Sequence, residues 1–229
     1  MNEALRLLRR TALPILAACA LSACALGRST VDIKSPTSAT TNATGFAKIT
    51  SIQDLRQFEA APSDAGTPSL ENASDITNKA ITSRAIARKR GGFGAALGDI
   101  VLPEGKTVAG LVHDATQKAL QDKGYQVVDN ASPQYAAALP LSIDINEFWA
   151  WFSPGAFTVT LRFKSSLKLS GDALVGADAP PVTSFITNDA VAAFESTWAD
   201  LVTRGLADLS DKIAERIRPP PGAVADSGR

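Results

Sequence analysis

Two stretches late in the chain alternate between apolar and polar positions. Leu139, Leu141, Ile143, Ile145 and Trp149 are apolar with Ser142, Asp144 and Asn146 between them, and Phe157, Val159, Leu161, Phe163, Leu167 and Leu169 alternate with Thr158, Thr160, Arg162, Lys164, Ser166 and Lys168. A period of two sends successive side chains to opposite faces, so these stretches predict two half-buried antiparallel strands with one wet face. Ser153, Pro154 and Gly155 turn between them and make a long hairpin.

A different period marks two other stretches. Val108, Leu111, Val112, Ala115, Ala119 and Leu120 recur at three and four residues and form one apolar stripe, predicting a helix over residues 107–123 with Gly124 as its C-cap. Trp198, Leu201, Val202, Leu206, Leu209, Ile213 and Ile217 predict a second helix, opened by Thr197 with Asp200 three residues on and ended by Pro219, Pro220 and Pro221. Between and before them, β-branched and aromatic content predicts strands over residues 46–52, 80–88, 125–128 and, less regularly, 182–194. Residues 60–78 carry Pro62, Gly66 and Pro68 among Ser, Asp and Asn, which reads as a long surface loop. The order β-β-α-β-β-β-β-α predicts an α+β fold: a two-layer antiparallel sheet with two amphipathic helices packed on one face.

The N-terminus carries an address. A basic head (Arg6, Arg9, Arg10) precedes an apolar run over residues 12–21, then Leu21-Ser22-Ala23-Cys24. The run is shorter than the ~20 residues that span a bilayer, and its order is that of a secretory signal. The four residues resemble the lipobox of bacterial lipoproteins, which implies cleavage before Cys24 and lipid attachment at that residue. Leu16-Ala17-Ala18-Cys19 also fits the pattern but would leave a shorter apolar core, so Cys24 is preferred. Ala25 follows where an aspartate would resemble an inner-membrane retention signal, which points to the outer membrane, with the domain facing the periplasm. The expected organisation is a signal over 1–23, a lipidated, flexible Ser/Thr/Ala tether over 24–44, an α+β domain over 45–218 and a disordered tail over 219–229.

Charge and cysteine content narrow the function further. The signal removes three of 23 basic side chains and one of 23 acidic ones, leaving 20 against 22. Nothing in that balance calls for nucleic acid. Cys19 leaves with the signal and Cys24 is acylated, so the domain has no thiol for a disulfide, a metal or nucleophilic catalysis.

Candidate chemistry is sparse. Arg88, Lys89 and Arg90 precede Gly91-Gly92-Phe93-Gly94 in a basic, glycine-rich turn that has neither Walker nor dinucleotide spacing. It reads either as a solvated loop or as a site for an anion. Phe148, Trp149, Trp151 and Phe152 crowd the hairpin tip with Phe157, and alternation cannot bury the first four on one face. At least Phe148 or Phe152 is expected to point away from the core, where Phe148, Trp151 and Phe152 would contact a partner unless a helix end or the 60–78 loop covers them. His113 is the sole histidine and reads as a helix-surface residue. Asp144 and Glu147, three apart in a strand, should face opposite ways and so make no acid–base pair. No cofactor, metal or catalytic residue is indicated.

The lipobox, Asp54-Leu55-Arg56 after the first strand, Lys123-Gly124-Tyr125-Gln126-Val127, the alternating hairpin and Ala199-Asp200 together resemble the YajG-type family of bacterial lipoproteins. The longer loop and residues 88–94 depart from that pattern. The resemblance implies place and fold more than activity: a membrane-anchored, non-catalytic binding or adaptor domain whose partner is an envelope protein or a glycan. The alternative is an auxiliary lipoprotein of a transporter or envelope assembly complex, flagellar assembly included.

Overall fold

A computed structural model describes residues 27–39, 42–90, 95–155 and 158–221. Eight strands and three helices follow in the order β1 (Ser29–Thr30), β2 (Gly45–Asp54), a 3-10 turn (Ala73–Thr77), α1 (Lys79–Thr82), β3 (Ala85–Arg90), β4 (Ala96–Val101), α2 (Val108–Asp122), β5 (Tyr125–Val127), β6 (Leu139–Pro154), β7 (Val159–Ser170), β8 (Val182–Ala190) and α3 (Glu195–Arg216). The strands form one sheet, and its spine is the 16-residue β6. On one side β6 pairs with β7 antiparallel from Ser142 to Pro154, and β7 in turn pairs with β8. On its other side β6 pairs with β2 along Leu139–Ile145 and touches β3 at Ala150, both parallel.

The fold is thus mixed α and β, and the expectation of a purely antiparallel sheet is corrected. Alternation reports that a strand is half buried, not the direction of its neighbour. The late hairpin is antiparallel because a short turn joins its strands, whereas β2 meets β5 and β6 in parallel after long excursions of the chain. Both amphipathic helices lie against one face and against each other. Leu111, Val112 and Ala115 of α2, with Trp198, Leu201, Val202 and Leu206 of α3, bury against Ile143, Ile145, Phe148, Leu161, Phe163 and Leu167. Thr107 caps α2, its hydroxyl accepting the Gly110 N–H at 3.0 Å. The Thr197 cap is corrected: α3 begins one turn earlier, behind Phe194, and the Thr197 hydroxyl donates to Ala192 O at 3.4 Å.

Three further expectations change. Residues 80–88 are not one strand, because Asn78 accepts the Ala80 N–H and starts the short α1 before β3 begins at Ala85. Strand β4 was not foreseen. Residues 27–39 are not a flexible tether: β1 adds to β4 in parallel, and Val31 and Ile33 are buried in the main core. The approach is close enough that a Cβ on Gly98, whose φ is +132°, would stand 1.8 Å from the Gly27 carbonyl oxygen. The domain therefore starts before residue 45. It also extends past 218, since Pro220 is buried and the Tyr125 hydroxyl donates to Arg218 O at 3.0 Å.

Candidate functional site

One extra residue in β6 decides where the aromatic side chains go. Register shifts between Ile145 and Glu147: Ile145 faces Leu167 and Glu147 faces Ser166, leaving Asn146 as a bulge. Such a bulge reverses which face each later side chain takes. Phe148 and Phe152 therefore point inward, to the helices. Phe148 is fully buried, edge-on to Phe163 with centroids 4.9 Å apart, and Phe152 packs against Trp198 at 6.3 Å. The expectation of Phe148 as a partner contact is corrected, and the side chains that point away are Trp149 and Trp151.

The 60–78 loop is part of the cover over that second face. Leu70, Ala85, Val101 and Trp149 form a small second core there, with Phe58, Ile76, Ile81 and Trp151 against it. Trp149 donates its indole N–H to Ala65 O at 3.3 Å and is fully buried. The lock on this cover is Arg56, whose side chain is completely buried. Its Nε and Nη2 grip the Asp54 carboxylate at 2.8 and 2.7 Å, Nη1 donates to Ala85 O and Phe148 O, and Nη2 also donates to Thr82 O. All five guanidinium protons are thereby used. In the sequence Asp54-Leu55-Arg56 reads as the end of the first strand and as part of a resemblance, with no role for Arg56; a carboxylate and an arginine two residues apart at a strand end is the available signal.

The cover stops short of β8. Trp151 is half buried, its ring 6.2 Å from that of Phe185, which is 56 % exposed. Arg162 stands across from Trp151 and donates to Ser153 Oγ at 2.7 Å, while Lys164, across from Trp149, pairs with Glu147 at 2.8 Å. Phe185 lies across from Lys164. The result is a strip of aromatic rings and cations on β6, β7 and β8, opposite the helices. Val191 and Phe194, in the connection from β8 to α3, are also exposed.

Arg88, Lys89 and Arg90 lie on β3 rather than in a turn. Lys89 points to the helix side, its Nζ donating to Ser29 Oγ at 2.7 Å, while Arg88 and Arg90 lie under the cover; Arg90 reaches Pro62 O at 3.1 Å and Ser69 Oγ at 3.2 Å. The structure thus divides the three cations between two faces. Gly91 to Gly94, Phe157 and the lipobox with Cys24 and Cys19 lie outside the described residues.

His113 is half-buried on α2, with Nδ1 3.4 Å from Asp114 Oδ1. It lines an open depression of about 480 Å³ with Gln117, Asp129 and Tyr135. Among the described residues no serine, threonine or cysteine lines that depression. Asp144 and Glu147 do not face opposite ways, because the bulge between them brings both to the second face; Glu147 is held by Lys164. Among the described residues no group of three His, Cys, Asp or Glu side chains is placed to hold a metal, and no helix is long and apolar enough to cross a membrane.

No family model matches the sequence, and no curated protein does. Solved structures similar to it at low identity include the following three. Protein XCC0632 from Xanthomonas campestris, of the DUF330 family, shares 9 % identity over 81 % of this chain and 91 % of its own, with a TM-score of 0.42. An uncharacterized protein shares 9 % over 79 % of this chain and 98 % of its own, at 0.35. The PelC dodecamer from Paraburkholderia phytofirmans shares 12 % over 80 % and 98 %, at 0.29. None of the three likenesses supports a functional conclusion.

Proposed function

We propose that the chain is an outer-membrane lipoprotein of the YajG type, anchored through Cys24, whose periplasmic α+β domain binds an envelope component and performs no catalysis. The observation that carries the binding role is the uncovered strip around Trp151, Arg162 and Phe185. Exposed aromatic surface grouped with cations on three adjacent strands is the composition of a surface that is covered on binding. The anchor rests on the order of residues from Arg6 to Cys24. A docking role within a transporter or envelope assembly complex is favoured by β8, which among the described residues pairs with β7 alone and so offers a strand edge to a partner strand.

Mass spectrometry of the mature N-terminus tests the anchor. An acylated Cys24 is expected, with Cys24→Ala accumulating uncleaved or mislocalised; acylation at Cys19 or a free N-terminus would overturn it. Crosslinking and capture from intact envelopes tests the binding role, with a reproducible partner expected.

A further inference from the structure

Arginines that touch the cover over the second face are handled in two ways. Arg56 meets Asp54, and Arg28 meets both Asp75 at 2.7 Å and Asp99 at 3.0 Å. Arg88 and Arg90 meet no carboxylate. They sit two residues apart on β3, hence on one face, and neither forms an ion pair among the described residues. Arg90 gives its protons to two neutral acceptors, Pro62 O and Ser69 Oγ. The Nε of Arg88 is buried and has no hydrogen-bond partner.

Among the described residues the nearby acids make no contact ion pair with either arginine. Asp99 lies directly across from Arg88, but its carboxylate accepts from Arg28 and from the Glu71 N–H at 2.8 Å. Asp64 accepts the Gly66 N–H of its own turn at 2.8 Å. Burial, and then the adjacent Arg88, hold Arg90 below the ordinary guanidinium value, and the nearby Asp64 offsets them only in part.

We infer that Arg88 and Arg90 form a binding site for a phosphate monoester or diphosphate group. A guanidinium pairs its donors in the geometry that phosphate oxygens accept, and Arg90 already turns its two terminal nitrogens toward neutral oxygens that an anion would outcompete. The combined charge of Arg88 and Arg90 matches a group carrying about −1.5 to −2 at neutral pH, which a single carboxylate does not supply. Such a group would also give the Arg88 Nε the acceptor it lacks. The site rests on the reading of the domain as a binding module and adds the charge class of its ligand.

The test is a calorimetric titration of the full chain at low ionic strength with inorganic phosphate, pyrophosphate, and phosphatidylcholine vesicles with and without phosphatidic acid. Saturable binding is expected, weakening as salt is added and falling about tenfold or more in Arg88→Gln and in Arg90→Gln. Binding of the soluble anions assigns the site to a soluble phosphorylated ligand; binding only to vesicles with phosphatidic acid assigns it to a lipid headgroup. Should Arg90→Gln fail to fold, Arg90→Lys keeps the charge, loses the planar fork, and must still weaken binding. Absence of binding by all the probes, or binding equal in wild type and both Gln variants, overturns the inference. If envelope crosslinking still captures a partner in that case, the site falls while the binding module stands.

Discussion

Replacing Arg56 by methionine removes the lock between the two ends of the second core while keeping most of the side-chain volume. The fully buried guanidinium makes five hydrogen bonds, two to Asp54 and three to the carbonyls of Thr82, Ala85 and Phe148. Those carbonyls belong to α1, β3 and β6, which are separate in sequence, so no local rearrangement replaces the donor. Asp54 retains some access to water, its side chain being 21 % exposed, and that softens its loss of a partner. Removing one member of a buried pair costs about 3–5 kcal/mol. For a domain of this size each kcal/mol moves the melting temperature by about 2–4 °C, so a fall of roughly 6–20 °C is expected. Arg56→Lys should fall in between, since an ammonium keeps the charge but cannot span both Asp54 oxygens and the three carbonyls. Urea and thermal melts followed by circular dichroism measure this directly. An Arg56→Met protein within about 1 kcal/mol of wild type would refute the reasoning, because it would mean that the buried network gives no net stability over an apolar side chain.

Other consequences concern stability. Deleting residues 27–39 exposes the sites of Val31 and Ile33, each contributing about 1.5–3 kcal/mol by burial; a chain beginning at Gly45 should unfold at clearly lower urea than one beginning at Gly27, and identical midpoints would return the segment to a passive tether. Phe148→Ala should cost about 3–5 kcal/mol as a core cavity, where a surface contact would cost almost nothing. Burial raises the Tyr125 phenol above its ordinary value of 10.0, so its contribution is whole below that pH and is lost as pH rises through the folded value. Wild type should therefore lose unfolding free energy above about pH 10 faster than Tyr125→Phe, and parallel curves in that window would contradict the assignment.

Much of the architecture was legible in the pattern of side chains. The two helices were readable because their stripes recur at three and four residues over four turns or more, and β7 because no bulge shifts its alternation, Ser165 being the one polar residue in its inward row. What was not legible has physical causes. Asn146 carries no mark of a bulge, yet it moves Trp149 from one face to the other and brings Glu147 and Asp144 together. Residues 29–33 look polar and unremarkable because only Val31 and Ile33 anchor them, and their partner β4 lies about 70 residues away. The cover over the second face looks like a loop in the sequence because its turn formers outnumber its apolar residues, although Leu70 is fully buried beside Trp149 in the small core. The glycines after Arg88 to Arg90 point to a turn, and nothing in the sequence marks the pairing of these residues with β4.

The binding strip is tested most directly by a photo-crosslinking amino acid placed at Phe185 in cells, with one at Glu104, on the exposed turn before α2, as the comparison. A discrete crosslinked partner from position 185, absent from position 104 and lost with Arg162→Glu, is the predicted result. Crosslinks of equal yield from both positions, or none from position 185 while other surfaces capture a partner, would contradict the account.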